Sequence, residues 1–159
     1  MAVTLSETVV ADIRAHGVET YPNECCGALI GRAGIVSESF ALPNMTDEGP
    51  RRRFLVRPGD YRAAEARAAE TGRELLGFYH SHPDHPAQPS QYDLDHAWPF
   101  FSYVIVSVRD GRSHELRSWR LRDDRTQFDE EAITSVTRDF GPATGGAEAP
   151  PSNRATTES

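Results

Sequence analysis

The stretch Leu75 to Asp93, LLGFYHSHPDHPAQPSQYD, constrains this chain more than any other, because its prolines permit only an extended segment, a stiff turn and a fresh start. An apolar run leads to His80 and His82 and is stopped at Pro83, a residue that strand interiors exclude. Pro83, Pro86 and Pro89 keep the following loop non-helical. Ser90 to Asp93 then has the form of a helix cap, so the segment is predicted as strand, turn and short helix. Strand side chains alternate between faces, which places Leu76, Phe78, His80 and His82 together. The two imidazoles are expected at the strand's carboxyl edge, where α/β folds usually put their chemistry.

Two histidines and an aspartate in this order suit a catalytic zinc ion. Three protein ligands leave one tetrahedral position for water, which separates catalytic from structural zinc sites. Such chemistry also needs a carboxylate to move protons, and Glu24 in YPNECCGALIG is the upstream candidate. Each residue also has a blander role. Histidines at strand ends are commonly structural, most glutamates are solvated, and helix initiation alone accounts for Ser90 with Asp93. Capping and ligation are compatible in that pair. Asp84, His85, Asp95 and His96 crowd the same stretch but fall outside the pattern, and surface or supporting roles are expected for them. Cys25 and Cys26 offer thiolates, yet strand neighbours face opposite ways, so a pair of small buried side chains is expected instead.

His80, Ser81, His82, Ser90 and Asp93 together reproduce H-x-H-x7-S-x2-D. In this the chain resembles the JAMM (MPN-plus) zinc metalloproteases, and Glu24, in the P-x-E-x-C-G context of Pro22 to Gly27, is similar to that family's upstream glutamate. RRRFLVRPGDY, Arg51 to Tyr61, resembles the family's strand and helix start, so the likeness spans roughly Val3 to Leu121. It implies one zinc ion with a bound water, held by His80, His82 and Asp93. It further implies acid/base work by Glu24, a transition-state hydrogen bond from Ser90, and a cytidine-deaminase-like α/β/α sandwich. That Glu24 lies near the histidines is an implication of the family and not of the spacing. The small size and the ECCG motif resemble the stand-alone bacterial members, which trim the carboxyl end of ubiquitin-like sulfur-carrier proteins. The implied partner is therefore such a carrier, cut at a peptide or isopeptide bond. Rival implications are a non-catalytic MPN scaffold and a DNA-repair-associated relative with an added helix-hairpin-helix module, for which no matching stretch is read here.

With 159 residues, 38% hydrophobic, the chain can bury one proper core. A single domain over residues 1–140 is expected. No apolar run reaches the roughly 20 residues that cross a bilayer, and MAVTLSETVV lacks a secretory signal's basic start, so a cytosolic protein without membrane attachment is predicted. Two adjacent cysteines offer no disulfide framework, in keeping with a reducing compartment. A net charge of -7 argues against a nucleic-acid partner, since phosphate neutralisation needs clustered base in excess. All 17 basic residues are arginine, which excludes lysine-based covalent catalysis. The Arg51 to Arg53 run reads either as a solvated edge or as a dock for an acidic partner. Self-pairing as a homodimer is left open by the sequence.

Along the chain, Leu5, Ser6 and Val10 have the spacing of a hydrophobic staple around an N-cap, and Gly17 reads as a stop, which predicts a helix over 6–16. Strands are predicted over 27–31, 35–42 and 53–56, with a polar loop over 43–50. Alanine-rich Pro58 to Thr71 reads as a helix ended by Gly72. Tyr103 to Val108 and Glu115 to Leu121 flank Asp110-Gly111, a hairpin signal. This order predicts an α/β fold, a mixed sheet flanked by helices. From Gly141 to Ser159 the composition turns to Gly, Ala, Pro, Ser and Thr, the signature of a disordered tail. Gly145-Gly146 there is only a weak likeness to a ubiquitin-like terminus.

Overall fold

In the computed structural model, residues 2–44 and 56–136 are described. Among these residues seven strands and three helices follow one another as β1 (Ala2–Ser6), α1 (Glu7–Thr20), β2 (Cys26–Arg32), β3 (Ile35–Leu42), α2 (Pro58–Glu70), β4 (Glu74–Pro83), α3 (Gln91–His96), β5 (Ser102–Arg109), β6 (Arg112–Leu121) and β7 (Phe128–Val136). They form one mixed sheet in the order β1-β3-β2-β4-β5-β6-β7, closed on itself where β1 also pairs with β7 in parallel. β4 runs parallel to β5 and antiparallel to β2, so the histidine strand is central. This is the expected α/β class of mixed sheet and flanking helices; β1, β7 and the closure were not anticipated. No helix among the described residues is long and apolar enough to cross a membrane.

Two hydrophobic clusters lie on the two faces. The first packs Val9 and Ile13 of α1 against Leu5, Leu29, Val36, Tyr79, Val104 and Val106. The second packs Ala64 of α2 and Ala97 against Cys26, Ala28, Phe78, Phe101 and Tyr103. Ser6 caps α1 as predicted, its Oγ accepting from Val9 N at 3.1 Å, a bond worth about 1 kcal/mol. The helix does not stop at Gly17, however, but continues to Thr20. Gly17 serves packing: a Cβ there would lie 3.0 Å from Val108 Cγ2 and 3.3 Å from Val106 Cγ1, so its absence lets α1 settle on β5. The predicted helix from Pro58 and the Asp110-Gly111 hairpin are both present, with Asp110 and Gly111 at φ 50° and 77° as a tight turn requires.

One face assignment is corrected. Pairing between β2 and β4 passes from Leu29↔Gly77 to Ile30↔Leu75, leaving Leu76 as an extra residue. This β-bulge reverses the alternation below Gly77. Phe78, His80 and His82 share a face as predicted, but Leu76 packs in the first cluster and Leu75 in the second. The predicted strand over 53–56, except Val56, the Arg51 to Arg53 run and the tail all lie outside the described residues.

Candidate metal centre

His80 and His82 stand two residues apart at the carboxyl end of β4, between Cys26 of β2 and Ile105 of β5. The loop that returns the chain to α3 is pinned by its own carbonyls. Ser107 Oγ donates to His85 O at 2.7 Å, His82 Nδ1 to Pro86 O at 2.9 Å, and Trp119 Nε1 to Ala87 O at 3.0 Å. α3 then begins with a full capping box, Asp93 N donating to Ser90 Oγ at 3.1 Å and Ser90 N to Asp93 Oδ2 at 2.8 Å. The cap is what aims the Asp93 carboxylate.

Three atoms converge as a result. His80 Nε2 and His82 Nε2 lie 3.1 Å apart, and Asp93 Oδ2 is 3.3 Å from each. These are the edges of a near-equilateral triangle. A tetrahedral zinc with bonds of about 2.0 to 2.1 Å sets its ligands about 3.3 to 3.4 Å apart, so the triangle fits one face of that tetrahedron. The hydrogen bond to Pro86 O places the His82 proton on Nδ1 and turns the Nε2 lone pair toward Asp93 Oδ2. The 3.3 Å approach of that nitrogen to Asp93 Oδ2 is one that a shared cation, a metal ion or a proton, satisfies. Among the described residues, His80, His82 and Asp93 form the one group of three or more His, Cys, Asp or Glu side chains close enough to hold a metal ion.

The protonation states agree. Burial lowers the His80 pKa despite the nearby Asp93, which favours the neutral imidazole a metal needs. Burial alone would raise the Asp93 pKa, but His80 and His82 beside it prevail and hold the carboxyl below its usual range. Asp93 is thus an ionised, nearly buried carboxylate that could serve a metal ion. Beside this group lies a cavity of about 140 Å³, lined by Phe78, Trp98, Tyr103 and Phe128 with His80 and Asp93 in its wall.

Glu24 is buried, at 7% exposure, on the segment leading into β2. Cys26 pairs with His80, and Ser81 N donates to Cys25 O at 3.2 Å, so Glu24 stands two residues beyond the His80 pair on the side of His82. Asn44 Nδ2 donates to Glu24 O at 3.0 Å, and Cys25 N donates to Ser81 Oγ at 2.9 Å. In the sequence Asn44 reads only as part of a polar loop and Ser81 only as the residue between the two histidines. Alternation along β4 assigns Ser81 to the face opposite the histidines, but nothing in one sequence tells which strand it meets.

The residues set aside have other partners. Asp84 accepts from Tyr21 Oη at 2.7 Å and from Asp110 N at 3.1 Å. Asp95 accepts from Gln91 Nε2 at 2.8 Å, and His96 bonds Tyr92 O at 2.8 Å. Cys25 and Cys26 are both buried and belong to opposite clusters, as expected. Burial pushes their thiols up to about 11 and about 12, so neither is a thiolate at neutral pH.

Residues 6–122 match the family described as prokaryotic homologs of the JAB domain. The CysO-cysteine peptidase of Mycobacterium tuberculosis is 35% identical over 111 residues, 69% of this chain and 75% of that protein. The desampylase of Haloferax volcanii is 31% identical over 128 residues, 77% of this chain and 91% of that protein. A protein from Salinibacter ruber of known solution structure is 38% identical, with a TM-score of 0.68 over 92% of this chain and all of that one.

Proposed function

This chain belongs to the prokaryotic JAB-domain family, and on that premise we propose that it is a zinc-dependent peptidase acting on the carboxyl end of a ubiquitin-like sulfur-carrier protein. The observation that carries the reading is the triangle of His80 Nε2, His82 Nε2 and Asp93 Oδ2, whose edges of 3.1, 3.3 and 3.3 Å suit zinc and which has His80 and Asp93 in the wall of the cavity. The relatives' names, CysO-cysteine peptidase and desampylase, support the reaction class and the choice of substrate.

Zinc bound there supplies a Lewis acid for the scissile carbonyl and lowers the pKa of a water to about 7. Glu24 takes the proton that water loses on attack and returns it to the departing amine as the C–N bond breaks. Ser90 Oγ already accepts from Asp93 N, so its hydroxyl proton is the one to donate to the carbonyl oxygen as negative charge develops. The apolar walls formed by Phe78, Trp98 and Tyr103 keep bulk water from that oxygen and strengthen the hydrogen bond.

The test uses the zinc-loaded chain and a sulfur-carrier protein with a C-terminal cysteine extension. E24Q is expected to abolish turnover with zinc still bound, whereas H80A and H82A lose the metal and the activity together. Removing zinc with a chelator stops cleavage, and adding it back restores it. Cleavage by E24Q refutes the base, a metal-replete H80A/H82A double variant refutes the ligands, and a wild-type chain that binds no zinc returns the protein to a scaffold role.

A further inference from the structure

Regular pairing of β2 with both neighbours begins only at Cys26, so Glu24 lies where a strand end would fray. Three successive residues there are instead held by side chains of other elements. Thr20 Oγ1 donates to Asn23 O at 3.2 Å, Asn44 Nδ2 to Glu24 O at 3.0 Å, and Cys25 N to Ser81 Oγ at 2.9 Å. Asn44 comes from just past the end of β3 and Ser81 from the carboxyl end of β4, so the Glu24–Cys25 peptide is gripped from both sides.

Ser81 is fully buried between the two histidine positions, with its Cβ 3.5 Å from where a Cβ on Gly17 of α1 would lie. A hydroxyl buried there without a partner would cost stability, and the Cys25 amide supplies one. The same residue therefore ties the strand of the metal ligands to the peptide adjoining Glu24. Asn44 acts on the other side of the same peptide group, its amide donating to Glu24 O. We propose that Asn44 and Ser81 are positioning residues for Glu24, setting its main chain relative to His80 and His82. This rests on Glu24 being the base in the proposed function.

Four variants of the full, zinc-loaded chain test it with the same carrier substrate: N44A, S81A, S81T and E24Q. N44A and S81A are expected to lower kcat about 10- to 100-fold, the scale of misplacing a reacting group by about 1 Å, while KM and bound zinc stay at wild-type values. S81T keeps the hydroxyl and restores the rate. In the metal-free protein, amide exchange of Cys25 should quicken in S81A and not in S81T, a readout independent of turnover. Wild-type kcat in N44A and S81A overturns the proposal, as does zinc loss that parallels the loss of rate in both. An active E24Q overturns instead the reading of the base on which it rests.

Discussion

A buried imidazole beside a buried carboxylate makes the free energy of this site a function of pH. Burial holds His80 below its ordinary pKa of 6.5, so in that region the unfolded chain binds a proton that the folded one refuses. Stability must then fall as pH drops below about 6.5. Asp93 works in the same direction at lower pH. Its burial is outweighed by His80 and His82, its pKa lies below the usual 3.8, and the stability it contributes above that value is lost as pH falls through the depressed one. The urea midpoint of the metal-free protein is therefore expected to decline between about pH 7.5 and about pH 5.5, and H80A should flatten the decline. A midpoint that climbs on acidification would contradict a neutral, buried His80. That His80, His82 and Asp93 would converge was legible in the sequence, through the motif they share with a known family. The aim of Asp93 was legible too, through the capping box. The grip of Asn44 and Ser81 on Glu24 was not, since it joins residues 20 and 56 positions away along the chain.

At the scale of elements, two glycines decide how β4 sits between its neighbours. A Cβ on Gly77 would come within 1.9 Å of Ser102 O, a backbone atom of β5 that cannot step aside without undoing the ladder. A Cβ on Gly27 would instead meet the far end of the Tyr79 ring at 2.2 Å, and that ring is held by a 2.7 Å hydrogen bond between its hydroxyl and His16. Overpacking of this kind costs about 1 to 3 kcal/mol, and the backbone clash should lie at or beyond the top of that range. G77A is expected to lower the unfolding free energy more than G27A and to weaken zinc binding, because β4 carries both histidines. Equal effects in chemical denaturation would show that the β4–β5 register does not govern the site. Strands with buried, alternating side chains were readable, as were the alanine-rich helix and the Asp110-Gly111 turn. The bulge at Leu76 was not, because an extra residue leaves no mark in an apolar run. Gly17 misled for a related reason: a glycine that ends a helix and one that admits a neighbouring strand look alike in sequence.

At the scale of the whole molecule, the sheet closes through its two least readable strands. β1 is five residues long and ends in the cap of α1, so its pattern merges with the helix start. β7 reads FDEEAITSV, too acidic for a core strand, yet Glu131 is buried and accepts from Ser118 Oγ at 2.7 Å while pairing with Arg120 at 3.3 Å. Arg122 adds an ion pair to Asp129 at 3.0 Å. Both strands fall wholly or almost wholly outside the family match over residues 6–122, so the part that matches does not by itself contain the closure. Ending the chain after Gln127 would remove β7, strip a buried carboxylate's partners Ser118 and Arg120 of their bonds, and expose the edges of β1 and β6 together. Two open edges beside an apolar core invite pairing with other chains. Such a protein is expected to lose its cooperative thermal transition and to aggregate, whereas removing only residues 141–159, a stretch with almost no large apolar side chain in its sequence, should leave melting temperature and zinc content unchanged. A chain ending at Gln127 that melts within about 5 °C of the full one would mean that β7 contributes less than about 2 kcal/mol, and that closing the sheet is incidental to the site.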